Sequence, residues 1–406
     1  MPEKKNVERI ERIKSALQAA KLDALVCTLP ENVLMLSGYW PVIGNAVALA
    51  TQEGQVFVLA PEDERELARQ GWADEVLTFQ PASLEKLPAP VEAVGAVLAG
   101  LAKRLDIQQG RIGYESGAVS QPVTYAAMYL YGTAIYPLLN HAFALGQQVI
   151  ASEWLDELQA TLTPYEIERV RTACRVAGEA FEQGTGQLFS GLTETEAATL
   201  FRNPLSTRAN GQAGIERADG FAWCMSGPNA ALAFGAYARS RARKLEPGDL
   251  ALVHCNSYVD GYWTDITRTY CLGEPDERKL RLYRAVMEAR AYALETIRPG
   301  VNAAEVDRAA REVLRAHGFE QEFKHGTGHG VGFAAISAEA RPRLHPKSTD
   351  VLQTGMVFNV EPALYFEGYG GLRHCDVIAL TERGPEILTG FQSRIEQLVI
   401  TQDGVR

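Results

Sequence analysis

Two helices followed by a strand hairpin occur twice in the second half of this chain, over about 165–272 and again over about 279–381. That doubling predicts two similar halves facing each other with a site between them. In the first copy Asp249 to Asn256 and Tyr262 to Tyr270 read as strands joined through Asp260-Gly261, a pair that tolerates the positive φ of a tight hairpin turn. Positions 254 and 265 centre almost on that turn, so His254 and Asp265 are expected nearly opposite one another across the ladder. In the second copy Met356 to Glu361 and Gly371 to Ile378 flank a loop containing Glu367-Gly368-Tyr369-Gly370, and Glu361 and Cys375 centre on that loop.

Between the hairpins lies Phe323-Lys324-His325-Gly326-Thr327-Gly328-His329-Gly330-Val331-Gly332. Glycine adds no Cβ and takes positive φ, so the run is expected to let backbone approach whatever its two imidazoles hold. It lacks the Gly-Lys-Ser/Thr ending of a phosphate-cradling loop. Together His254, Asp265, His329, Glu361 and Cys375 offer the nitrogen, oxygen and sulfur donors that Zn²⁺, Mn²⁺, Co²⁺ or Fe²⁺ takes. A hydrogen-bonded, ion-paired polar core is the competing reading of the same five residues.

The rest of the chain sets limits on function. A length of 406 residues suits two domains or so. The net charge of −10, without a long basic run, argues against nucleic acid as a partner. No apolar stretch approaches a membrane span, and the charged start is unlike a secretory signal, so the cytosol is the expected compartment. Six scattered cysteines without a CxxC pair read as thiols and not as a disulfide framework.

Residues 1–150 alternate helical and strand patterns, including an apolar stretch at Val123–Tyr131, and read as an α/β domain without a catalytic set. Residues 151–406 form the second domain, opening on a connecting helix near 151–159 and then a helix started by Thr163-Pro164-Tyr165-Glu166 and running to about Leu188. Another begins near Thr193.

Several motifs in order carry a resemblance. Arg9-Ile10-Glu11-Arg12, Leu22-Asp23-Ala24-Leu25-Val26 and Asn32 to Gly38 look like a creatinase-type N-terminal domain. Gly261 to Thr269, His325 to Gly332, Asn359-Val360-Glu361-Pro362 and Gly371-Leu372-Arg373 resemble the pita-bread family of aminopeptidase P, prolidase and creatinase. The resemblance implies an α+β pita-bread C-terminal domain with pseudo-twofold halves. It further implies hydrolysis of a C–N bond in a small peptide or amide, and a homodimer. Peptidases of this family hold two metal ions on Asp, Asp, His, Glu and Glu. Asp265, His329 and Glu361 match, whereas His254 replaces the first Asp and Cys375 the last Glu. Neutral imidazole cannot bridge two cations as a carboxylate does, so one divalent metal is expected rather than two.

By the same carry-over His329 and Glu361 are the catalytic candidates, with Phe234, His325 and Arg373 toward substrate and His325 orienting the loop. Phe234 stands where the family commonly has a histidine, with Tyr237 as an alternative occupant, and Ile336 stands where it has another. The alternatives are a metal-free, creatinase-like amidinohydrolase and a binding protein that keeps the fold without the chemistry.

Overall fold

A computed structural model describes residues 5–42, 45–80, 83–116, 135–235, 239–336, 340–401 and 404–405. The apolar stretch at Val123–Tyr131 and the candidate Tyr237 lie outside the described residues. The chain divides into two units, Met1–Gln159 and Ala160–Arg406. The division falls at the far end of the connecting helix, not before it. That helix is tied to the first unit, because Arg9 Nη1 donates to Leu158 O at 2.5 Å and Gln159 Nε2 donates to Asn32 Oδ1 at 2.7 Å.

In the first unit the elements run α1 (Val7–Ala20), β1 (Ala24–Cys27), α2 (Pro30–Ser37), β2 (Val47–Thr51), β3 (Val56–Pro61), α3 (Arg65–Ala68) and β4 (Glu75–Phe79). They continue through α4 (Pro90–Arg104), β5 (Arg111–Tyr114), α5 (Ile135–Ala142), β6 (Gln147–Ile150) and α6 (Ser152–Ala160). The strands form one sheet in the order β4-β3-β2-β1-β5-β6. Its central strands are buried along their whole length and read as continuous apolar runs, the pattern expected where both faces are covered. Leu98, Leu101, Leu138 and Phe143 of the flanking helical segments close the core over Val26, Val47 and Ile112.

The second unit contains α7 (Pro164–Thr185), α8 (Glu194–Thr207), β7 (Ala218–Ser226), β8 (Leu250–Val259) and β9 (Tyr262–Leu272), then α9 (Glu277–Thr296) and α10 (Ala303–Ala316). After these come β10 (Val357–Val360), β11 (Ala363–Phe366), β12 (Gly370–Arg373), β13 (Asp376–Thr381), β14 (Gly384–Ile387), β15 (Val399–Thr401) and β16 (Gly404–Val405). Thr163 and Thr193 each accept from the backbone N–H three residues on, and the returning Glu166 and Glu196 complete two capping boxes. Helix α7 ends at Thr185, just short of the expected Leu188. The sheets are β16-β15-β9-β8-β7, β10-β13-β14 and the pair β11-β12. No helix among the described residues is long and apolar enough to cross a membrane.

Two departures from the expected pairing shape the site. The β8–β9 hairpin closes with Val259 opposite Tyr262, and Asp260 and Gly261 both take positive φ. That two-residue turn sets the register so that His254 faces Thr267 and Asp265 faces Asn256. His254 and Asp265 are therefore diagonal neighbours two places out of step, still on one face because side chains alternate with period two.

In the second hairpin one register runs from Phe366 opposite Gly370 to Val357 opposite Ala379, but the ladder is interrupted at Glu361-Pro362 and His374-Cys375. Proline brings no N–H to a ladder. Freed there, Glu361 N donates to Thr327 O at 2.8 Å, and Cys375 N donates to Thr267 O at 3.0 Å. The break stitches the glycine-rich run, β9 and the second hairpin together at one point.

Candidate active site

The glycines of the run serve backbone packing. A Cβ on Gly328 would meet Asn359 O at 1.9 Å, and one on Gly330 would meet Arg341 O at 2.2 Å. Single bridges pair Gly328 with Leu344 and Gly330 with Phe358, so the run is threaded between two segments and is not a loop wrapped around a ligand. Buried Asp307 on α10 holds its start by accepting from Thr327 N at 3.0 Å and Thr327 Oγ1 at 2.9 Å.

This threading delivers His329 to the face carrying Asp265. Asn359 fixes the residue, accepting its N–H on Oδ1 at 2.7 Å and donating its own backbone N–H to His329 O at 2.9 Å. His329 Nδ1 lies 3.0 Å from Gly330 O, which assigns a proton to that nitrogen. Nε2 is then free either to accept from Asn359 Nδ2 at 3.2 Å or, once protonated, to point its proton at Asp265 Oδ2 at 3.5 Å. Glu361 Oε1 is 4.0 Å from the same nitrogen.

Asp265 is almost fully buried and carries its other oxygen toward His254, whose Nε2 lies 3.0 Å from Oδ1. Arg373 donates from Nε to Thr267 Oγ1 at 3.0 Å and brings Nη1 to 3.7 Å from Glu361 Oε2. Its Nη2 is buried without a hydrogen-bond partner among the described residues. Cys375 has no exposed surface, and its thiol donates to Asp265 O at 3.2 Å.

The electrostatics follow from these contacts. Burial opposes charge on His329, but hydrogen bonding and attraction from Asp265, with Glu361 behind it, outweigh that and lift the ring to about 9. Burial raises Glu361 more than Arg373 lowers it, leaving that carboxyl at about 7. Burial likewise acts to raise Asp265, but His254 and His329 hold it well below the usual carboxylate range. His254 is lowered by burial despite the Asp265 carboxylate, and Arg373 lowers it further. Burial, together with Asp265 and Glu361, pushes the Cys375 thiol far up.

The five predicted donors do not gather around one point as ligands. Among the described residues no group of three or more His, Cys, Asp or Glu side chains is placed to hold a metal ion. Asp265 is engaged on both oxygens by imidazoles, His254 directs its Nε2 at Asp265, and Cys375 keeps its proton on a carbonyl. As arranged, the residues do not fit a metal centre.

His325 has both ring nitrogens engaged elsewhere than on the carboxylates, with Nδ1 2.7 Å from Gly326 O and Nε2 2.9 Å from Tyr365 Oη. Burial, reinforced by Arg373, pushes its ring down to about 3. The Tyr365 ring also meets the half-exposed Phe234 ring at 5.5 Å, and Lys324 Nζ sits 4.7 Å from the centroid of Phe234. An aromatic wall thus leads toward Arg373 and Glu361. Asn359 and Tyr365 were missing from the residues expected at the site. Asn359 stands two places before Glu361 in a motif read from the sequence, whereas nothing local marks Tyr365.

Residues 168–382 match the metallopeptidase family M24, and residues 9–130 match the creatinase/prolidase N-terminal domain. The chain belongs to metallopeptidase family M24, built as an α/β N-terminal domain followed by a pita-bread C-terminal domain. It is 27% identical over 387 residues to the Xaa-Pro dipeptidase of Pyrococcus furiosus, covering 94% of this chain and 97% of that protein. The solved Xaa-Pro dipeptidase from Bacillus anthracis superposes with a TM-score of 0.77 at 25% identity, over 97% of this chain and 99% of that one. The prolidase from Pyrococcus horikoshii does so with a TM-score of 0.73 at 25% identity, over 94% and 98%.

Proposed function

We propose that this chain is a hydrolase of the Xaa-Pro dipeptidase kind, cleaving the C–N bond of a small peptide or amide at the His329–Glu361 centre. The convergence of Asp265, His329 and Glu361 from three separate segments carries the reading, supported by the relatives named Xaa-Pro dipeptidase.

Glu361, with one oxygen toward His329 and the other toward Arg373, takes a proton from a water that attacks the scissile carbonyl carbon. As the C–N bond breaks, the nitrogen needs a proton, and His329 Nε2 supplies it while Asp265 steadies the ring. Arg373 receives the substrate carboxylate, a role suited to its unengaged Nη2. Phe234, Tyr365 and His325 wall the apolar side of the pocket.

M24 is a family of metallopeptidases, and in a member with fitting ligands a divalent cation supplies a polarised carbonyl and an acidified water. The donors here do not fit that role as arranged, so no step above runs through a metal. The same observation favours a second substrate class, small amidines or guanidines, whose C–N bond this centre would attack in the same way.

The resemblance also carries a homodimer in the cytosol into this reading, and sedimentation of the full chain checks the assembly. The reaction is tested by incubating the full chain with Xaa-Pro dipeptides, other dipeptides and creatine-like compounds and following products by mass spectrometry. Release of proline from Xaa-Pro substrates, absent in His329→Ala, is expected. Turnover of creatine-like compounds alone selects the second class. Absence of turnover on every substrate leaves the binding-protein alternative and overturns the hydrolase reading.

A further inference from the structure

The donor set at the centre disagrees with the family to which the chain belongs, and the disagreement is local to two positions. We propose that this member has replaced metal binding by an internal cluster of imidazole, carboxylate and guanidinium, and that His254 and Cys375 are the residues that exclude the cation. The proposal concerns the centre of the hydrolase reading and takes from it only where the reacting groups lie.

Asp265 is the first observation. A metal-binding carboxylate offers an oxygen to the cation, but here Oδ1 lies 3.0 Å from His254 Nε2 and Oδ2 3.5 Å from His329 Nε2. A ring nitrogen that carries a proton toward a carboxylate has no lone pair for a metal. Cys375 is the second. Only a thiolate is a ligand, and this thiol is fully buried with its proton directed at Asp265 O at 3.2 Å.

Charge is the third observation. Two carboxylates, Asp265 and Glu361, are faced by the buried Arg373 guanidinium and by two imidazoles, so the site holds internal partners for its negative charge. A divalent ion would add two positive charges beside that guanidinium in a largely buried place, where unpaired charge is expensive.

The placement of the two residues explains why they matter. His254 shares a face with Asp265, so an aspartate there would set a second carboxylate against the first. Cys375 continues the register of Val360 opposite Asp376 and so lies across from Glu361, where a glutamate would create a second acidic pair. Opposed buried carboxylates repel unless a cation or a proton separates them. Restoring acids at both positions should therefore create the metal dependence that the wild-type chain lacks.

The test uses the full-length chain, freed of metal with chelator and titrated separately with Mn²⁺, Zn²⁺ and Co²⁺. Wild-type protein is expected to retain no stoichiometric metal by elemental analysis after exposure and desalting. Its melting temperature should stay unmoved, and Co²⁺ should produce no thiolate charge-transfer absorbance. The double variant H254D/C375E is expected to retain metal and to melt about 5 °C higher or more at a hundredfold excess over Kd. If it does not fold, His254→Asp alone carries the same expectation of metal-dependent stabilisation. Stoichiometric metal on the wild type, or a cobalt–thiolate band, overturns the proposal. A folded double variant that binds no metal overturns the assignment to these two residues. None of these readouts uses turnover, so a failure here stands apart from a failure to find a substrate.

Discussion

Asn359 contacts His329 through its side-chain oxygen, its side-chain nitrogen and its backbone N–H. It is a positioning residue, acting on the reaction only through the ring it holds. Asn359→Ala is expected to lower kcat roughly 10²-fold with a smaller change in KM, because a modest misplacement of a reacting group costs on that order. Steady-state kinetics beside a melting curve checks it, and an equal loss in both parameters would mean the pocket itself had changed. Arg373 makes a different prediction. If it receives a carboxylate, Arg373→Ala should raise KM at least about 10-fold for peptides with a free C-terminus and leave the already weak binding of their amides unchanged. Loss of binding equal for both kinds of peptide would deny it that role.

The glycine-rich run and the interrupted second hairpin are the structures on which the site depends. Gly328→Ala drives a Cβ into the Asn359 carbonyl, backbone that cannot step aside, and should cost about 3 kcal/mol. Gly368→Ala, in the turn of the second hairpin, meets open space and bears only the strain of a φ of +72°, so a cost of about 1 kcal/mol is expected. Urea denaturation of the two variants separates close packing from backbone conformation, and equal costs would contradict the threading described above. These elements also show what was legible beforehand. The doubled helix–helix–hairpin pattern, the helix starts at Thr163 and Thr193 and the face shared by His254 and Asp265 follow from periodicity and turn chemistry. The two-place offset in β8–β9 does not, because it depends on which residues enter the turn. The hairpin break at Glu361-Pro362 depends on tertiary partners, Thr327 and Thr267, which no local pattern announces. Tyr365 is drawn in by that tertiary arrangement, and the five candidate ligands were known by type while their aim at one another was not.

For the molecule as a whole, the first unit contributes a pH dependence of stability separate from the active site. Burial, with Glu115 nearby, holds Glu31 up at about 8, and its Oε2 lacks a hydrogen-bond partner among the described residues. The folded pKa lies above the unfolded one, so this contribution is fully present below the ordinary carboxylate value of 4.5 and is lost as pH rises to about 8. Urea midpoints should fall over that window by roughly a few kcal/mol of stability in the wild type, and Glu31→Gln should flatten the slope. An unchanged slope in the variant would place the dependence elsewhere. In the second unit, the proposed reaction sets Glu361 and His329 at the C–N bond to be broken. It is tested most directly by the turnover of Xaa-Pro dipeptides by chelator-treated full-length protein, wild type against Glu361→Gln, with free proline quantified by mass spectrometry. Proline release by the wild type and a loss of about 10²–10⁴-fold in the variant are expected. Release unaffected by the substitution, or no release from any Xaa-Pro peptide, would contradict it.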